Sequence, residues 1–187
     1  MSSILKVDQL QDSGGNEIIT SNGSGTITVN NQTFKNGITM ADQWRLTADF
    51  TGNATPIASN LERCDTQFSV LGTGMTESSG VFTFPSTGIY LVRYNHLFQF
   101  KDGNGQARSI TIRYTTDNSS YSILTEIDRN GFDEGFDTRN GEGLIDVTDT
   151  SNIKVRFEVN GASTNDRTRG SSVKNETYFT FIRLGDT

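Results

Sequence analysis

The stretch from Ile89 to Phe100 carries apolar side chains on both of its faces, and this constrains the fold more than any other feature of the chain. In an extended strand, Tyr90, Val92, Tyr94, Phe98 and Phe100 fall on one side, and Ile89, Leu91 and Leu97 on the other. The closing run repeats the pattern, with Phe179 and Phe181 opposed to Tyr178, Ile182 and Leu184. Two stacked sheets bury only the faces turned toward each other. Apolar residues on both sides of these strands therefore predict a second cover, and sister copies of the chain are the cover expected. Tyr90, Tyr94, His96, Phe98, Tyr178, Phe179, Phe181, Ile182 and Leu184 are the candidate residues of that subunit interface.

Shorter alternating runs surround these two. Trp44, Leu46, Ala48 and Phe50 alternate with polar residues, as do Phe68 and Val70. Val81 to Phe84 leads into the turn Pro85-Ser86-Thr87-Gly88. Further runs are Ile110-Ile112-Tyr114, Tyr121-Ile123-Thr125-Ile127 and Ile153-Val155-Phe157-Val159, with Leu144 to Val147 as a shorter candidate. No helical period of useful length appears. The hydrophobic share is only 33%, but 10% of residues are aromatic and each buries a large area, so a core remains attainable. Many short strands with frequent Gly, Asn and Ser turns predict an all-β antiparallel sandwich.

The texture changes near residue 42. Residues 1–42 hold short β-like pieces at 4–7, 17–20, 25–29 and 32–34, with a hairpin signal at Asp12 to Asn16. Their few apolar residues cannot make a core alone, so this segment is expected to pair with other copies or dock on a partner. Residues 43–187 are expected to form the sandwich domain. Ile4, Leu5, Val7 and Leu10 are the candidate anchoring residues of the first segment.

The order of these features resembles a known family. Gly80-Val81-Phe82-Thr83-Phe84-Pro85-Ser86-Thr87-Gly88-Ile89-Tyr90-Leu91-Val92 resembles the central signature of the complement and tumour-necrosis-factor jelly rolls, where a Phe-containing strand meets a Pro/Gly turn and then a Gly-x-Tyr strand. Gly143 to Val155 and the closing Glu176 to Leu184 resemble later parts of the same family pattern. The resemblance spans residues 44 to 187. It implies a jelly roll assembling as a tight homotrimer, with binding on its outer loops and crevices. Residues 3–29 are similar to the opening of structural proteins of marine bacteriophages, cyanophages in particular. That resemblance implies a segment tying a fibre, knob or capsid decoration to other virion proteins. A secreted-type ligand or lectin of the same fold is the alternative.

Other functions find little support. Net charge is −6 and no basic stripe exists, which argues against direct nucleic-acid binding. No apolar run is long enough to insert in a bilayer as a helix, and Met1 to Lys6 does not resemble a signal peptide, so synthesis in a host cytoplasm and residence in the virion are expected. His96 is the single histidine, without a Gly-x-Ser-x-Gly elbow, and Cys64 has no neighbouring base. An enzyme is not expected, nor is a cofactor. His96 reads as a hydrogen-bonded core or interface histidine; the alternative is three imidazoles meeting a metal on a threefold axis. Carboxylates from Glu126 to Asp149, interleaved with glycines, read as a solvated acidic loop, the alternative being a calcium site. Phe132 and Phe136 in that stretch, with Arg167 and Arg169 in the polar loop 161–172, are the candidate contacts for a host glycan or receptor.

Overall fold

The computed structural model describes residues 9–25, 27–29, 37–66, 68–101, 107–130 and 134–187. The chain divides into two compact units, Met1–Gly37 and Ile38–Thr187. In the first, β1 (Gln9–Gln11), β2 (Glu17–Ser21) and β3 (Ile27–Val29) form an antiparallel three-stranded sheet in that order. The first turn is held by Asp12, whose Oδ1 accepts from the backbone N–H groups of Gly14 (2.8 Å) and Asn16 (2.9 Å). Leu10 is exposed, as are its neighbours Gln9 and Gln11.

The second unit is a two-sheet sandwich, and no helix occurs among the described residues. Its strands are β4 (Met40–Leu46), β5 (Phe50–Thr51), β6 (Leu61–Arg63), β7 (Thr76–Ser78), β8 (Val81–Thr83), β9 (Gly88–Phe100), β10 (Ala107–Thr115), β11 (Tyr121–Asn130), β12 (Gly135–Val147), β13 (Lys154–Asn160), β14 (Arg167–Thr168) and β15 (Tyr178–Gly185). One sheet has five strands in the order β11-β10-β13-β8-β7. The other has seven, ordered β5-β14-β9-β15-β4-β6 with β12 on the far edge of β9. Strand β9 spans this sheet, pairing along its length with β12 and, on its other edge, with β15 and then β14. Gly88 opens it at φ +140°, where a Cβ would stand 2.5 Å from the Gly185 carbonyl oxygen. Only glycine lets β9 enter that close to β15.

The core is aromatic. Phe82 and Phe157 of the five-stranded sheet meet Tyr94, Phe179 and Phe181 of the seven-stranded one. Phe157 and Phe179 stack with centroids 4.1 Å apart. Edge and offset contacts of this kind add to the area each ring buries.

These contacts correct the interface expected from the sequence. Tyr90, Tyr94, His96, Phe98, Phe179 and Phe181 are wholly buried within one chain, because they face the second sheet rather than a neighbour. Of the interface candidates, Tyr178, Ile182 and Leu184 remain on the outward face. The assignment of Met40, Ala41 and Asp42 to the N-terminal segment is also revised. They begin β4, and Asp42 is buried, accepting from Arg63 Nε (2.9 Å), Met75 N–H (2.7 Å) and Trp44 Nε1 (3.0 Å).

Two further expectations change. Phe68 and Val70 form no strand. Most of the acidic stretch is not a loop: residues 121–130 and 135–147 are strands, and their alternation turns Asp137 toward Arg139 while Glu142 and Asp146 face outward. Among the described residues, carboxylates dispersed in this way do not group into a metal site. The 161–172 segment likewise dips inward, burying Asp166 and Thr168.

Candidate functional site on the outward sheet face

Residues in cross-strand register share one face of a sheet. On the outward face of the seven-stranded sheet this rule assembles an apolar row. Leu71 bridges Ala41, Ala41 pairs with Ile182, Ile182 with Leu91, and Leu91 with Leu144. Leu71 and Leu144 are 47% and 60% exposed, and the residues between them are part-buried. At about 4.8 Å per strand the row runs about 19 Å. Ile89 lies beside it on β9, and Leu184, 50% exposed, on β15.

The next row is polar. Gln43 donates to Thr180 Oγ1 (3.0 Å), and Arg93 grips Glu142 through Nη2 (2.7 Å) and Nε (3.0 Å). Beyond it, Tyr178, Asn95 and Asn140 stand in register. Arg93, Asn95, Asn140, Glu142 and Tyr178 line an open recess of about 540 Å³. The face thus combines a greasy stripe with hydrogen-bonding groups, the composition of a surface that associates.

Farther along β9 the candidate recognition residues come together. Phe136 pairs with Gln99, Gln99 with Arg167, and Arg167 with Thr51. Arg169 Nη1 donates to Asp49 Oδ2 (2.6 Å) and Gln99 Oε1 (3.3 Å). Segments far apart in sequence therefore meet around Gln99, a residue the sequence did not single out. Phe132, Ile4, Leu5 and Val7 lie outside the described residues.

His96 sits under this face rather than on it. Its Nε2 lies 3.0 Å from Thr168 Oγ1, and its ring is packed between Tyr94 and Phe98. Arg139 is its partner on β12. Burial, with the Arg139 charge adding to it, holds the imidazole well below its ordinary value of 6.5, so the ring is neutral. The core histidine expected from the sequence is what the structure contains. With no exposed surface in the chain, the ring does not face a position where sister copies could meet it. Burial likewise raises the Tyr94 hydroxyl well above its usual value. Cys64 is buried too, 3.3 Å from Asn175 Oδ1, and burial raises its thiol.

The sequence matches no family model and no curated protein. Comparison of the fold does find similar structures. Murine APRIL in its crystal structure at pH 5.0 superposes with a TM-score of 0.59, at 13% identity over 78% of this chain and 98% of APRIL. Eiger TNF from S. frugiperda gives 0.61, at 11% identity over 81% of this chain and 96% of Eiger. The fold is a TNF-like jelly roll. At such identities the likeness speaks for architecture, and function must be argued from the surface of this jelly roll itself.

Proposed function

We propose that this chain is a non-enzymatic virion protein of a tailed bacteriophage, a trimeric short fibre, knob or capsid decoration. Its N-terminal unit anchors it to other virion proteins, and its jelly roll projects to the host surface. The observation that carries the assembly is the apolar row Leu71, Ala41, Ile182, Leu91 and Leu144, continuous across the outward sheet face. A stripe of this length left wet would favour aggregation, and sister copies around a threefold axis would cover it with matching surface. Support for the virion comes from the phage-like residues 3–29 and from the sparse apolar content of β1 and β2.

Two measurements test this. Sedimentation equilibrium of the native chain should give the trimer mass, and Leu144→Asp should give a monomer with unchanged far-UV circular dichroism. A native monomer at high concentration would refute the assembly. Deletion of residues 1–37 should leave a folded jelly roll that no longer enters phage particles. The likeness in fold to APRIL and Eiger supports a secreted-type ligand or lectin as well, and unimpaired incorporation of the truncated chain would favour that alternative.

A further inference from the structure

We infer that the end of the sandwich around Gln99 is a binding site for an anionic saccharide, one bearing carboxylate or sulfate groups. The inference rests on the reading of the jelly roll as a projecting, surface-binding domain. It starts from the row Phe136, Gln99, Arg167 and Thr51, which crosses β12, β9, β14 and β5 in register. Their inward neighbours, Phe98, Phe100 and Thr168, are buried, so this row is turned outward. At about 4.8 Å per strand it is about 14 Å long.

The chemistry along the row is ordered. At one end the Phe136 ring is 65% exposed, a large apolar face in water. At the other end Arg167 and Lys101 border a recess of about 330 Å³, shared with Thr51, Thr164 and Asn165. The floor is rigid. Arg169 is clamped between Asp49 and Gln99, and Asp49 Oδ1 accepts the Gly170 N–H at 2.9 Å.

Charge favours an anion. In a chain of net charge −6, two cationic side chains converge on one recess. Among the described residues, Asp166 is sealed against Arg108, and Asp49 is held by Arg169. Arg167 pairs with Asp49 at 3.8 Å and is half-exposed, so the solvent side of its guanidinium can take a carboxylate or sulfate with paired hydrogen bonds. Hydroxyls and amides on Thr51, Thr164, Asn165 and Gln99 suit sugar hydroxyls, and an open aromatic face suits the apolar side of a sugar ring. An acidic peptide is less well matched. Peptide strands add along free sheet edges, whereas this row runs across the sheet face from one edge strand, β12, to another, β5.

The test is calorimetric titration of the full chain with three oligosaccharides of one length: a uronic-acid polymer fragment, a sulfated fragment and a neutral one. Binding of one or both anionic probes is expected, and which one distinguishes carboxylate from sulfate. Affinity should fall about tenfold or more in Lys101→Ala with Arg167→Ala and in Phe136→Ala. Lys154→Ala, on the opposite sheet, should bind as the native chain does. Salt from about 0.05 to about 0.5 M should weaken binding in the native chain and far less in the charge-depleted variant. Equal binding of the neutral probe, unchanged affinity in these variants, or binding of an acidic peptide in place of every saccharide would overturn the site. Trimer mass and particle incorporation are measured on the same samples. If they persist while saccharide binding fails, this site alone is refuted; if the chain does not enter particles, the virion reading fails.

Discussion

Arg108 and Asp166 form an ion pair in which both side chains are fully buried, the guanidinium Nε meeting the carboxylate Oδ2. Arg108 comes from β10 and also lies over the Phe100 ring, 4.9 Å from its centroid. Asp166 further accepts from the backbone N–H groups of Lys101 (3.2 Å) and Ser163 (3.1 Å). One carboxylate thereby joins the five-stranded sheet, the end of β9 and the segment leading to β14. Removing it takes the paired carboxylate away from a buried guanidinium. Asp166→Ala is expected to lose about 3–5 kcal/mol in urea denaturation. Replacing both partners with apolar residues should cost markedly less. A small loss in the single variant would show that water reaches the pair.

The neutral His96 makes stability depend on pH. Its folded value lies below 6.5, through burial first and Arg139 second. Below 6.5 the unfolded chain therefore binds a proton that the folded chain refuses. The stabilisation is whole above pH 6.5 and is lost as pH falls, at up to about 1.4 kcal/mol per unit from this one group. The melting temperature should hold steady from about pH 8 to 7 and decline between about pH 6.5 and 5. His96→Leu should flatten that decline, even if it lowers the plateau. An equally steep decline in the variant would assign the effect to the carboxylates.

Phe157 touches Phe82, Tyr94, Phe179 and Phe181 and so stands at the centre of the inter-sheet contact. Phe157→Ala should cost about 3–5 kcal/mol through lost burial and the cavity left behind. Chemical denaturation with an unchanged m-value is the check, and a loss below about 1 kcal/mol would mean that the two sheets close up over the gap.

At Gly88 the backbone geometry carries the expectation. Its φ of +140° and the Gly185 carbonyl 2.5 Å from a would-be Cβ leave no room for a side chain. Gly88→Ala should destabilise by well over about 1 kcal/mol. The nearby Thr87→Ala, at an exposed turn position, should change stability by less than about 0.5 kcal/mol. Similar melting temperatures for the two variants would contradict the tight β9–β15 approach.

The all-β class, the long strand at Ile89 and the turn before it were all legible in the residues, since alternation and Gly/Pro punctuation are local signals. The jelly roll was what the resemblance of residues 44 to 187 to the complement and tumour-necrosis-factor family implied, and the fold comparison bears it out. Alternation also separates the two faces of β9 and β15 correctly, but in β11 a register shift opposite Ile112 and Arg113 breaks the expected Tyr121-Ile123-Thr125-Ile127 face, leaving Ile123 exposed and packing Leu124 against the core. What it lacks is the identity of what lies above each face. That is why Tyr90, Tyr94, Phe179 and Phe181 were assigned to a neighbouring copy when Phe82, Phe84 and Phe157 of the same chain cover them.

β12 shows the same limit. Its glycines at 141 and 143 and its carboxylates look like a loop, because glycine and acidic residues are poor strand formers in isolation. Register with β9 overrides that preference. A Cβ at Gly143 would stand 2.8 Å from Leu124, so absence of a side chain there lets β11 lie close to β12. The residues of this chain decide its period, its turns and which side chains share a face, because those depend on neighbours in sequence. Pairing across strands decides that Leu71, Ala41, Ile182, Leu91 and Leu144 form one stripe and that Phe136 and Arg167 flank Gln99. Such rows arise from hydrogen-bond register between distant segments, which only the closed sandwich fixes.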